Sequence, residues 1–121
     1  ATVTVGANAR IRVTVPIQSA SAAGVRALKG PTFLISGETD TLVVPSGVET
    51  AFNAATVPAV YGMSMGQDHL MPGRMPEPIL EGVTAWFAIH LQMADAARPL
   101  FYGDDCGVCK DTKWTVKRKN L

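Results

Sequence analysis

Residues 31–45, PTFLISGETDTLVVP, decide how this chain is read. The run TFLIS at 32–36 is short, apolar and β-branched, as expected of a buried strand. Gly37 breaks it, and Asp40 follows in a turn that Pro45 closes. A carboxylate just beyond the C-terminal end of a buried parallel strand stands where open α/β sheets gather their chemistry. Working outward, a second apolar run at 58–65 is followed by Gln67, Asp68 and His69. An acid after one strand and a histidine after the next make two thirds of a Ser–Asp–His triad.

The flanks supply the remaining elements. Residues 1–9 read as a frayed helix end or a connection. Upstream of the central strand, RIRVTVPI at 10–17 has strand density, with Pro16 at its end. Downstream, Ser46 and Glu49 have the spacing of a capping box, and Val48, Phe52 and Ala55 mark a short amphipathic helix ending before Pro58. Pro72, Gly73 and Pro76 are expected to keep 66–76 free of helix. Pro78 suits the first turn of a long helix in which Ile79, Val83, Trp86, Phe87, His90 and Leu91 share a face, ending near Ala97. Three strands at 10–17, 32–36 and 58–65 joined by crossovers predict an α/β fold with a parallel sheet. Two helices of useful length are few for covering both faces, and such a sheet has open edges. The expectation is a single partial domain over 1–121, completed by a partner segment or a second copy.

Four stretches carry a resemblance to a known family: GETDTLVVP at 37–45, GQDH at 66–69, TAWFAIHL at 84–91 and FYGDDCGVCKDTKWTV at 101–116. Together they resemble the α/β-hydrolase superfamily. More narrowly, they are similar to the C-terminal part of secreted bacterial polyester hydrolases of the cutinase, PET-hydrolase and dienelactone-hydrolase-like group. The resemblance covers the chain from about Arg10 onward. It implies a serine carboxylic-ester hydrolase without a cofactor, acting on small or polymeric esters. It also implies that the nucleophilic serine and the oxyanion-hole loop precede the segment at which this chain begins. The chain starts with Ala rather than Met and shows no signal peptide, so it reads as processed, trimmed or cut from something longer.

Each candidate has a plainer reading beside it. Asp40 is the triad acid, holding the histidine's tautomer, or else a turn cap; Glu38 is the fallback acid. His69 is the general base, or else a loop histidine bonded to Asp68. His90 lies beside Trp86 and Phe87 and reads as a packing residue. GMSMG at 62–66 matches G-x-S-x-G literally, making Ser64 a possible nucleophile. Yet the prolines after it forbid the required helix, and Asp40 precedes it, so a chance match is the expected outcome. Ser19, Ser21, Ser36 and Ser46 have no elbow context. Leu42, Val43 and Met71 flank the acid and base and either line an apolar acyl pocket or belong to the core.

Composition narrows the alternatives. The 121 residues are 47% apolar, which supports a packed core, and a net charge of +1 gives no reason to expect nucleic acid. No apolar run is long enough to span a bilayer. The basic end WTVKRKNL reads as a solvated tail, with Trp114 expected against the Trp86 and Phe87 face. Cys106 and Cys109 form a lone C-x-x-C, too few ligands for zinc, so no metal is expected. They are either a local disulfide, inert thiols or, more weakly, a redox pair; the secreted or periplasmic compartment implied by the resemblance favours the disulfide. Two functions from different classes follow: the acid-and-histidine part of an ester hydrolase, or an inactive truncated module that dimerises or binds a partner.

Overall fold

The computed structural model describes residues 8–121. The reading of residues 1–7 therefore lies outside the described residues. The central strand β1 runs Thr32–Gly37 and β2 runs Ala59–Ser64, paired in parallel with Thr32 opposite Ala59 and Gly37 opposite Ser64. All six positions of β1 are buried. That continuous burial is what a strand covered on both faces needs, and it explains why the sequence there is an unbroken apolar run rather than an alternation.

The third strand is a correction. β3 is Trp114–Lys119, antiparallel to β2, and the order is β1-β2-β3. The sheet is therefore mixed α/β with one parallel pair, and the basic end is no solvated tail. Each of its three consecutive cations has an acceptor: Lys117 pairs with Glu49, Arg118 Nη1 donates to the carbonyls of Phe101 (2.9 Å) and Gly103 (2.8 Å), and Lys119 Nζ donates to the Asn53 carbonyl (2.8 Å). Lys119 thereby meets the carbonyl end of a helix, where a cation is favoured.

The expected strand at 10–17 is a strand only in part. It lies parallel to β1 through isolated bridges at Thr14–Thr32 and Ile17–Ile35. Thr14 N donates to Pro31 O, and Phe33 N and Ile35 N donate to Thr14 O and Pro16 O. Pro16, lacking an N–H, interrupts the ladder.

Helices close both faces. On one side α1 (Ala22–Arg26) and α2 (Pro45–Asn53) bury Val25, Val48, Ala51 and Phe52 against Leu34, Ala59 and Tyr61. On the other, the long helix meets Phe33, Ile35 and Val60, together with Phe101 and Trp114. Odd and even strand positions thus divide cleanly between two cores. The capping box is not formed: Val44 is the N-cap of α2, Pro45 occupies its first turn, and Glu49 serves Lys117 instead. Nor is 66–76 free of helix. A single turn, α3 (Met71–Arg74), places Pro72 in the first turn, where its missing N–H leaves no bond unmade, and ends on Met75 in the left-handed region.

The long helix α4 spans Glu77–Gln92 and stops at Met93 with φ 53°, earlier than its periodicity predicts. A 3-10 helix (Asp95–Leu100) follows and contains Pro99. The buried face of α4 is Ile79, Gly82, Trp86 and Ile89, whereas Leu91 is exposed. Cys106 and Cys109 are joined in a disulfide around α5 (Gly107–Lys110), directly before β3.

Gly62 marks the tightest approach in this core. A Cβ there would lie 2.8 Å from Trp114 and 2.9 Å from Phe33. Gly62→Ala is therefore expected to destabilise by about 1–3 kcal/mol through overpacking. A denaturant midpoint unchanged from the parent would show that the two rings can give way.

Candidate active site

Asp40 and His69 meet at the C-terminal edge of the parallel pair. His69 Nδ1 lies 2.9 Å from Asp40 Oδ2. The Asp40 side chain is fully buried, whereas that of His69 is 39% exposed. The carboxylate is sealed and the imidazole is reachable.

Both are held by bonds that follow from local sequence. Asp40 Oδ1 accepts from the backbone amides of Leu42 and Val43, each at 2.9 Å, so one oxygen anchors the turn and the other is left for the ring. Burial pushes the Asp40 carboxyl up. The His69 hydrogen bond and the Val43 and Leu42 amides together outweigh burial and hold the group below its ordinary value.

The histidine loop is tied down at each residue from 66 to 69. Gly66, with φ 73°, donates its amide to Glu38 Oε2 (2.6 Å). The Gln67 carbonyl accepts from the Thr39 amide and hydroxyl. The Asp68 carbonyl accepts from Gln18 Nε2 at 2.6 Å. His69 then bonds to Asp40. Gly37 permits this packing, because a Cβ there would sit 2.5 Å from the Gln67 carbonyl. Asp68 serves the loop rather than His69: its Oδ1 accepts from the Leu70 amide (2.9 Å) and from Arg74 (2.7 Å), and Arg74 lowers its carboxyl below the ordinary value.

The other candidates separate. Glu38 is committed to Gly66 and makes no bond to His69. His90 stacks edge-on against Trp86 at 4.2 Å, with Nε2 3.3 Å from the Tyr102 hydroxyl; burial, then Arg98, lower its affinity for a proton. Ser64 closes β2, buried, and the chain leaves it through the Gly66 turn; the next helix starts at Met71, so no strand-to-helix elbow forms around it. Among the described residues no hydrogen bond joins Ser64 to His69. Ser36 is buried with its hydroxyl 2.8 Å from that of Tyr61. Of the three expected lining residues, Met71 is buried in the core, Val43 packs partly on the other core, and Leu42 is 76% exposed. Leu70, which the sequence did not single out, is 69% exposed directly beside His69.

Among the described residues no group of three or more His, Cys, Asp or Glu is placed to hold a metal ion. No described helix is long and apolar enough to cross a membrane.

Acid should act on this site with a definite sign. Asp40's folded value lies below the reference of 3.8, so its contribution is present above that pH and is lost as pH falls through the folded value. Denaturant midpoints measured between about pH 5 and about pH 2 are expected to fall less steeply in Asp40→Asn than in the parent. Identical slopes would place the acid sensitivity elsewhere.

No protein-family model matches this chain, and a search of curated proteins finds no significant match.

Proposed function

We propose that this chain supplies the acid and the histidine of a secreted serine carboxylic-ester hydrolase, with the nucleophilic serine coming from outside these residues. The observation that carries the reading is the Asp40–His69 bond: a sealed carboxylate with one oxygen on two amides and the other on a reachable imidazole. With Asp40 accepting from Nδ1–H, the Nε2 of His69 is left as the basic nitrogen. It takes the serine proton as the hydroxyl oxygen attacks the ester carbonyl. It then returns that proton to the departing alcohol, leaving an acyl-serine. A second cycle with water in place of serine releases the acid and restores the hydroxyl. Asp40 keeps the tautomer fixed and stabilises the imidazolium between the two transfers. Exposed Leu42 and Leu70 adjoin the pair and favour an ester with an apolar acyl or alcohol portion, polyesters included.

The test is turnover of p-nitrophenyl esters of increasing acyl length by the chain expressed together with the coding sequence upstream of Ala1. Turnover that depends on the added segment is expected. Its absence would leave the pair without a reaction.

The competing reading is an inactive module that pairs with a second copy along the outer edge of β3. The order β1-β2-β3 leaves that edge without a partner strand among the described residues. That edge, however, carries the run Lys117, Arg118 and Lys119, and cations on an exposed edge strand work against pairing with another chain. Light scattering separates the readings: a monomer is expected, and a dimer would favour the module.

A further inference from the structure

We infer that Gln18 is a positioning residue for His69, tying the peptide unit before the histidine to the bridged segment beside β1. The inference rests on the reading of Asp40 and His69 as an acid–base pair, and it is tested apart from ester turnover.

Three observations converge on this side chain. Gln18 is only 3% exposed, unusual for glutamine, and nothing in its local sequence requires burial there. Its backbone is held at φ 51°, a region costly for a residue with a Cβ, while its amide donates to the Ile35 carbonyl at 2.8 Å. That bond fixes Gln18 to β1 at its neighbouring edge. From this position Nε2 reaches across 50 residues of sequence to the Asp68 carbonyl at 2.6 Å. The direction of the amide is determined by chemistry: a carbonyl can only accept, so the nitrogen must face it.

What remains is an unusual cost. Gln18 Oε1 is buried with no hydrogen-bond partner among the described residues. A methionine or leucine would fill the space without a left-over acceptor, so burial alone does not account for an amide here. The donor bond does. The Asp68 carbonyl belongs to the peptide whose nitrogen is that of His69, so fixing it fixes the direction in which the imidazole leaves the chain. Gly37 completes the arrangement, since a Cβ there would stand 3.1 Å from Gln18 Nε2.

The structure thus holds the histidine at both ring and backbone, with the Met71 amide adding a local bond to the same Asp68 carbonyl at 3.2 Å. Asp40 holds the ring at Nδ1 and Gln18 holds its backbone. Thr39 provides a comparison, because it bonds the Gln67 carbonyl one peptide earlier through both amide and hydroxyl.

The experiment is nitrogen-15 NMR of the His69 ring in the chain as it stands, comparing Gln18→Met, Gln18→Asn and Thr39→Val. Loss of one buried donor bond is expected to raise the exchange rate of the His69 Nδ1 proton with water roughly tenfold in Gln18→Met, with the second tautomer becoming visible. Gln18→Asn, too short to reach, should behave alike, while Thr39→Val, which keeps the backbone bond, should stay within about twofold of the parent. An unchanged ring signal in either folded Gln18 variant would overturn the inference, as would an equal effect of Thr39→Val. If neither Gln18 variant folds, the parent decides: side-chain amide protons of Gln18 exchanging as fast as those of exposed Gln92 overturn it, and marked protection supports it.

Discussion

Replacing His69 with alanine is expected to lower ester turnover by roughly 10⁴- to 10⁶-fold in the chain completed with its serine. The size follows from what the ring would do. Without it the serine hydroxyl keeps its proton during attack, and the alcohol must leave as an unprotonated alkoxide. Asp40→Asn should cost nearly as much, about 10⁴-fold, although it removes only one oxygen. The carboxylate accepts from Nδ1–H at 2.9 Å. An asparagine can instead donate its amide hydrogens to Nδ1, which would place the proton on Nε2 and leave no basic nitrogen for the serine. Parallel measurements of turnover and melting temperature separate this loss from simple unfolding. A His69→Ala variant that turned over ester within tenfold of the parent would remove the histidine from the mechanism.

Trp114→Ala is expected to be the most damaging change to the fold, by about 3–5 kcal/mol. Trp114 is 6% exposed, lies 5.7 Å ring to ring from Phe33, and shares a core with Trp86 and Phe101. It is also the first residue of β3, opposite Ser64. Its loss therefore opens a cavity between sheet and α4 and frees the start of the edge strand together. The disulfide one helix earlier closes only a short loop, so Cys109→Ser should cost about 2 kcal/mol. Cys109 is the exposed partner, and its substitution leaves Cys106 in the core. Melting temperatures should fall on the order of 12–20 °C for the tryptophan and about 8 °C for the cysteine. Equal or reversed losses would show that the disulfide, not the aromatic core, holds the end of the chain.

The parts legible in the sequence were those in which one short segment carries its own reason. TFLIS could only be a buried strand, and the turn through Asp40 follows from Gly37 and Pro45. His69, after the next strand, falls beside Asp40 because parallel strands in register, Gly37 opposite Ser64, bring their ends together. The parts not legible were those set by distant partners. Residues 114–119 resemble a solvated tail until Glu49, Phe101, Gly103 and Asn53 are seen to receive their cations. Glu49 looked like a cap and became an ion-pair partner. Pro72 and Pro76 looked like helix breakers, yet Pro72 stands in the first turn of α3, where a proline breaks nothing, and Pro76 caps the start of α4. The face of α4 was misplaced because Gly82, with no side chain to count as apolar, packs against Phe33: a Cβ there would lie 3.2 Å from its ring. Gln18 gave no signal, since its partner lies 50 residues away and a polar residue opening the Ser- and Ala-rich stretch 18–23 reads as loop.

On the proposed function, Asp40 and His69 together activate a serine. An alkyl fluorophosphonate tests it most directly, because the probe phosphonylates a hydroxyl only where a working base removes its proton. The chain expressed with its upstream segment should be labelled at one serine, with labelling lost in His69→Ala and strongly slowed in Asp40→Asn. No labelled serine, or labelling of equal rate in His69→Ala, would contradict the claim.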